Sequence, residues 1–180
     1  MKTIKDKQIL VGADFAGFPL KEAVCEHLRK KGWTITDIGV RADSDPDDTD
    51  LMFHRIGLRI GSMIAEGEFE RALVFCGTGM GIHIAASKCP HVHAGVVESV
   101  PAALRAITGN GVNVLAMGAF YVAPQMGCDI ADAYLNAELV MNGGTIFMSS
   151  INLRLTSLRR LITQHIRKTD LRLISWAIIR

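Results

Sequence analysis

The sequence predicts an α/β protein: a parallel five-stranded sheet with helices on both faces, followed by a helical tail. Three observations carry this reading. Five short apolar runs recur along the chain, a segment of helical periodicity follows each, and no repeat or low-complexity linker interrupts the alternation before Gly143-Gly144. Strands that alternate with helices run parallel, because each helix returns the chain to the starting edge of the sheet.

Gln8-Ile9-Leu10-Val11-Gly12-Ala13 is the first strand and runs into Asp14. Residues 18 to 31 follow as a helix with a basic end (Arg29, Lys30, Lys31), closed by Gly32. Trp33 to Ile38 alternates as a second strand. The acidic stretch Asp43-Ser44-Asp45-Pro46-Asp47-Asp48-Thr49-Asp50 reads as a solvated loop that caps a helix over 51 to 66. It lacks the carboxylate spacing and sixth-position glycine of a calcium loop. Ala72-Leu73-Val74-Phe75-Cys76 is a buried third strand, followed by a glycine-rich turn and a short helix through Lys88. A strand over Val92 to Val97, a helix over 99 to 107, a strand over Asn113 to Met117 and a helix over 122 to 138 complete five βα units. The whole is a Rossmann-like α/β/α sandwich over residues 1–144, with a basic helical extension over 145–180.

Of the 180 residues, 49% are hydrophobic and 21% charged, the balance of a soluble globular chain. No apolar run approaches the roughly 20 residues of a membrane span, and the charged start Met1-Lys2-Thr3-Ile4-Lys5-Asp6-Lys7 is no secretory signal. A cytoplasmic protein with no membrane partner is expected. Cys25, Cys76, Cys89 and Cys128 show neither disulfide nor zinc spacing and read as free thiols. His91 and His93 flank Val92 and lack a third metal ligand nearby, so they read as an exposed pair at a strand edge. Residues 1–144 carry 13 basic and 17 acidic side chains, residues 145–180 carry 7 and 1. Within that basic tail Leu155, Leu158, Leu161, Ile162 and Ile166 fall at helical spacing. The pattern favours a helix docked on its own or a neighbouring subunit over one that binds nucleic acid.

Ligands of open parallel sheets bind beyond the carboxyl ends of the strands. Asp14, Cys76 and Glu98 stand at three such ends. The turn Gly77-Thr78-Gly79-Met80-Gly81 can aim several backbone N–H groups at one point, forming an anion cradle. Cys76 at its mouth is then a base or nucleophile, or merely the last residue of an apolar strand. A dinucleotide site competes for the same turn, with Glu98 as its acidic residue. Against it, Ile82 replaces the third glycine and the following helix is short.

Taken together, Gly12-Ala13-Asp14-Phe15-Ala16-Gly17-Phe18-Pro19-Leu20-Lys21, Cys76-Gly77-Thr78-Gly79-Met80-Gly81-Ile82 with Ala85-Ala86-Ser87-Lys88, and Gly109-Asn110-Gly111-Val112-Asn113-Val114-Leu115-Ala116-Met117-Gly118 resemble the ribose-5-phosphate isomerase B and galactose-6-phosphate isomerase family over about residues 8 to 144. The resemblance implies an aldose–ketose isomerase that uses no cofactor and no metal, a homodimer or homotetramer with active sites shared between subunits. It implies Cys76 and Thr78 as the catalytic residues, Cys76 moving a proton between neighbouring carbons of a sugar or sugar phosphate. The amides of Gly77, Thr78, Gly79, Met80 and Gly81 would hold the enediolate, with Asp14, Phe15 and Asn110 contacting substrate. Several family residues are replaced. Phe15 and Gly109 stand where ring-opening members commonly have histidine, Leu51 where a tyrosine is frequent, and Phe120, Thr145 and Ser149 where arginines usually hold phosphate. Arg154, Arg159 and Arg160 are the nearby cations that could replace them. The substitutions point to a substrate that is open-chain, short, or not phosphorylated in the usual position. The alternative is a sugar-binding or regulatory protein of the same fold without turnover.

Overall fold

A computed structural model describes residues 1–137, so the expected basic extension and its helix lie outside the described residues. The strands β1 (Gln8–Ala13), β2 (Thr34–Asp37), β3 (Ala72–Cys76), β4 (Ala94–Val96) and β5 (Val114–Gly118) form one parallel sheet in the order β2-β1-β3-β5-β4. Between and after them run α1 (Phe18–Lys30), α2 (Phe53–Ala65), α3 (Met80–Ala86), α4 (Val100–Asn110) and α5 (Pro124–Asn136). β3 and β5, covered on both faces, are buried at every residue, which is why they read as unbroken apolar runs. The α/β class, the parallel sheet and its two helical layers are as the sequence predicts.

Side chains alternate across the strands, and the two sets build two cores. Ile9, Val11, Leu73, Phe75, Leu115 and Met117 pack with α1, α4 and α5. Leu10, Val74, Cys76 and Ala116 face α2 and α3. Since α1 and α3 lie on opposite faces while β1 and β3 are neighbours, a crevice opens beyond the carboxyl ends of these two strands.

Several boundaries differ from the sequence expectation for local reasons. The acidic loop caps a single 3-10 turn, Thr49–Leu51, through Asp48, whose carboxylate accepts from the Asp50 N–H at 2.9 Å; α2 starts later with no side-chain cap. β4 shrinks to three residues: His91 has φ +61, and the Asn113 amide bridges the His91 carbonyl and the His93 N–H. Both histidines thus lie before β4 and not along its edge. α4 runs through Gly109 and stops only at Gly111, whose left-handed backbone (φ +59) closes the helix.

Three polar tethers hold the layers. Lys21 of α1 is fully buried, its Nζ donating at 2.5 Å to Asp37 Oδ2 at the end of β2 and at 2.5 Å to the Val40 carbonyl, with Glu22 Oε1 at 3.1 Å. Asp132 of α5 accepts from His27 of α1 and from Lys31, the residue that ends that helix, at 2.9 and 2.5 Å. Burial pushes its carboxyl up, but these two partners outweigh burial and hold it below the ordinary value. Arg71 closes α5 by donating to the Tyr134 and Ala137 carbonyls at 2.8 and 3.0 Å, and the Tyr134 hydroxyl donates to the Val112 carbonyl at 2.9 Å. Among the described residues no helix is long and apolar enough to cross a membrane.

Asp37→Ala leaves the Lys21 ammonium buried with its strongest partner gone and is expected to cost about 3–5 kcal/mol in denaturant unfolding, whereas adding Lys21→Met to that variant recovers most of the loss. The lowered carboxyl of Asp132 contributes stability that is fully present above its unfolded value near pH ~4 and is lost as pH falls through the lower folded value. Unfolding midpoints measured across this acid range should therefore fall more steeply for the wild type than for Asp132→Asn.

Candidate active site

Cys76 ends β3 with its side chain on the α2/α3 face, 4% exposed. The chain then turns sharply at Gly79, whose φ of +75 favours glycine and whose missing Cβ would stand 3.0 Å from the Gly118 nitrogen and the Met117 carbonyl carbon. That turn brings the Gly79 N–H back to the Cys76 sulfur, Sγ accepting at 3.1 Å. Negative charge on this sulfur therefore has a donor aimed at it. Cys89 and Cys128 instead donate to carbonyls, of Leu58 and Ala23, and burial pushes both thiols up. In Cys25, burial and then Asp37 push the thiol up to about 12.

Thr78 Oγ1 accepts from the Met80 N–H at 3.3 Å. The N–H groups of Gly77, Thr78 and Gly81 find no acceptor among the described residues. Three amides beside a sulfur can hold an oxygen that gains negative charge as a proton leaves a neighbouring carbon.

Asp14 follows β1, and since Ala13 pairs with Phe75 it stands across from Cys76. Its N–H donates to the Phe75 carbonyl at 3.3 Å and its Oδ1 accepts from the Gly17 N–H at 2.8 Å. Gly17 lies directly on β3, where a Cβ would meet the Phe75 carbonyl at 2.5 Å. Burial raises the Asp14 carboxyl, opposed by the N–H groups of Gly17 and Ala16. Phe15, 39% exposed, follows Asp14 in this loop. Two further aromatics flank the glycine turn: the Phe120 ring lies on Gly77 and the Phe53 ring on Gly81.

Asn110 and Gly109 are not brought to this point within one chain. They end α4, which returns toward the starting edge of the sheet, where Asn113 next in the chain accepts from the Ala72 N–H at the start of β3. Cys76 is at the other end of that strand. Asn110 is exposed and donates to the Arg105 carbonyl at 3.2 Å. Glu98, the acidic residue of the dinucleotide reading, is exposed beyond β4, and the helix after the turn has only seven residues. Thr145, Ser149, Arg154, Arg159 and Arg160 lie outside the described residues. A groove of about 420 Å³ beside β2, lined by Glu22, Arg29, Asp37 and Arg41, contains none of the residues around Cys76. Among the described residues no three His, Cys, Asp or Glu side chains gather as a metal site. Sequence reasoning missed Phe53 as a neighbour of the turn and the Lys21–Asp37 pair. For the pair a signal existed: Lys21 shares the buried stripe of Leu20, Val24, Cys25 and Leu28.

Comparison with known proteins gives this arrangement a family. Residues 9–146 match the family described as Ribose/Galactose Isomerase. A 4-deoxy-4-sulfo-D-erythrose isomerase of Clostridium sp. (strain MSTE9) is 38% identical over 75% of this chain and 82% of its own length. A D-erythrulose-4-phosphate isomerase of Pectobacterium atrosepticum is 31% identical over 75% of this chain and 86% of its own. Among solved structures, ribose-5-phosphate isomerase B of Clostridium thermocellum superposes with a TM-score of 0.74 at 29% identity, covering 84% of this chain and 99% of that one. The family resemblance carried by the three sequence motifs is thereby borne out, and the chain belongs to the ribose/galactose isomerase family, a family of aldose–ketose isomerases.

Proposed function

We propose that this chain interconverts an aldose and a ketose of four carbons, open-chain and carrying a terminal anionic group, by proton transfer at Cys76. The observation that carries the reading is the sulfur itself, held by the Gly79 N–H beside amides that lack acceptors. The Cys76 thiolate takes the proton from the carbon next to the carbonyl, and the C–H electron pair becomes the double bond of an enediolate. The amides of Gly77, Thr78 and Gly81 bear the oxygen charge, and the sulfur returns the proton to the adjacent carbon while the hydroxyl proton passes from the oxygen that becomes the new carbonyl to the oxygen that bore the charge. Thr78 shapes the turn through its bond to Met80, while Asp14 and Phe15 border the substrate from the β1 side. Electrons are redistributed within the sugar, so the step consumes no cofactor.

Chain length follows from what is absent around the sulfur. Phe15 and Gly109 offer no acid to open a sugar ring. A four-carbon sugar with phosphate or sulfonate on its last carbon has no hydroxyl there to close a five-membered ring, and so needs no such acid. The names of the Clostridium and Pectobacterium relatives describe substrates of that kind. Phe120 likewise offers no guanidinium to a terminal anion, a loss that is smaller for a singly charged sulfonate than for a phosphate dianion.

The exposure of Asn110 at the edge of the sheet opposite Cys76 supports a site completed by a second copy, with a homodimer or homotetramer as the working unit. The same losses at positions 15 and 109 favour a second reading, a sugar-binding protein without turnover.

Cys76→Ala is expected to abolish deuterium exchange from solvent into erythrulose 4-phosphate while leaving circular dichroism unchanged; surviving exchange would refute the role of the sulfur. The wild type should prefer erythrulose 4-phosphate or its 4-sulfo analogue to ribose 5-phosphate, and binding of these sugars without exchange would establish the second reading. Mixing the inactive variants Cys76→Ala and Asn110→Ala should restore activity, since one mixed site then carries both native residues.

A further inference from the structure

The loop after β5 is fixed to the glycine turn by a run of backbone bonds. The Ala119 N–H donates to the Cys76 carbonyl and the Phe120 N–H to the Gly77 carbonyl, both at 2.9 Å. The N–H groups of Tyr121 and Val122 donate to the Gly118 carbonyl at 3.1 and 2.9 Å, and Gly118 itself is pressed against Thr78, where a Cβ would meet the Thr78 carbonyl at 2.7 Å. The Phe120 backbone therefore cannot drift away from Gly77.

Its ring takes the space that a side chain at Gly77 would occupy: a Cβ there would stand 2.5 Å from Cε2 and 2.7 Å from Cζ. One edge of the ring rests on the glycine, yet Phe120 is 68% exposed. A large apolar ring that is anchored by its backbone, seated on the residue next to Cys76, and otherwise bare is a wall of the crevice and not part of the core. Phe53 borders Gly81 on the other flank of the turn.

We infer that the Phe120 ring sets the length of substrate the site accepts, by standing where the carbon chain must run beyond the two reacting carbons. The inference rests on the isomerase reading above and adds the residue that selects among its substrates. A four-carbon chain ends before the ring, whereas a five-carbon 5-phosphate is one carbon longer and presses its charged end on an apolar face. A wall against one extra carbon discriminates by roughly 10- to 200-fold. Charge adds to the exclusion, since a phosphate pushed onto a phenyl ring loses water without gaining a donor.

The test compares kcat/KM for erythrulose 4-phosphate and ribulose 5-phosphate in the wild type, Phe120→Ala and Tyr121→Ala. Tyr121 is the adjacent exposed aromatic, and the atoms nearest Gly77 all belong to Phe120, so Tyr121 controls for general loosening of the loop. Phe120→Ala should raise the five-carbon to four-carbon ratio about 10- to 200-fold while Tyr121→Ala leaves it within about twofold. A ratio unchanged in Phe120→Ala, or raised equally in Tyr121→Ala, overturns the assignment and leaves the isomerase reading intact. Absence of turnover by the wild type on both sugars overturns both.

Discussion

The active end of this molecule depends on how closely the end of β3 and the end of β5 approach each other. Gly79 can fold its N–H back onto the Cys76 sulfur only by adopting a left-handed backbone, and it fits there only because Gly118 and Met117 meet no side chain. Gly118 in turn lies on the Thr78 carbonyl. Two glycines, one in the turn after β3 and one at the end of β5, thus fix one sulfur.

The larger architecture exists to hold that contact still. β3 and β5 are buried at every position, so their ends cannot fray independently. The tethers at Lys21–Asp37, at Asp132 and at Arg71 lie on the layer opposite Cys76, binding α1 and α5 to the sheet. The α2/α3 layer that the sulfur faces is held instead by apolar packing, with Ile56, Ile60 and Ile82 fully buried. The polar tethers and the Cys76 sulfur thus lie on different sides of the sheet.

Much of this was legible in the sequence where one residue type admits one explanation. Ala72–Cys76 has the expected limits because an unbroken apolar run in a parallel sheet has no other home. The glycine turn and Asp14 were legible as strand-end residues. β4 was overextended because its length is set by the Asn113 amide, about twenty residues away in the chain. The expected end of α4 at 107 falls short because Gly109, with open space around it, interrupts a helix only weakly, and the left-handed Gly111 is the true stop. Asn110 was grouped with Cys76 by its motif, although a returning helix must deliver its last residue to the opposite edge. Lys21 and Asp37 are sixteen positions apart on different elements, a pairing that periodicity does not encode.

The bare Cα of Gly77 has a consequence for divergence. Gly77 carries no side chain, and the bare shelf this leaves beside Cys76 is covered by the Phe120 ring, which reaches it from the loop after β5. In the assignment proposed above, whatever occupies that shelf meets the outer part of the substrate while the sulfur and the amides keep their places. With those roles, chemistry and selectivity are written at separate positions, so a lineage on this fold can exchange one sugar for another through changes at the shelf that leave Cys76 in place.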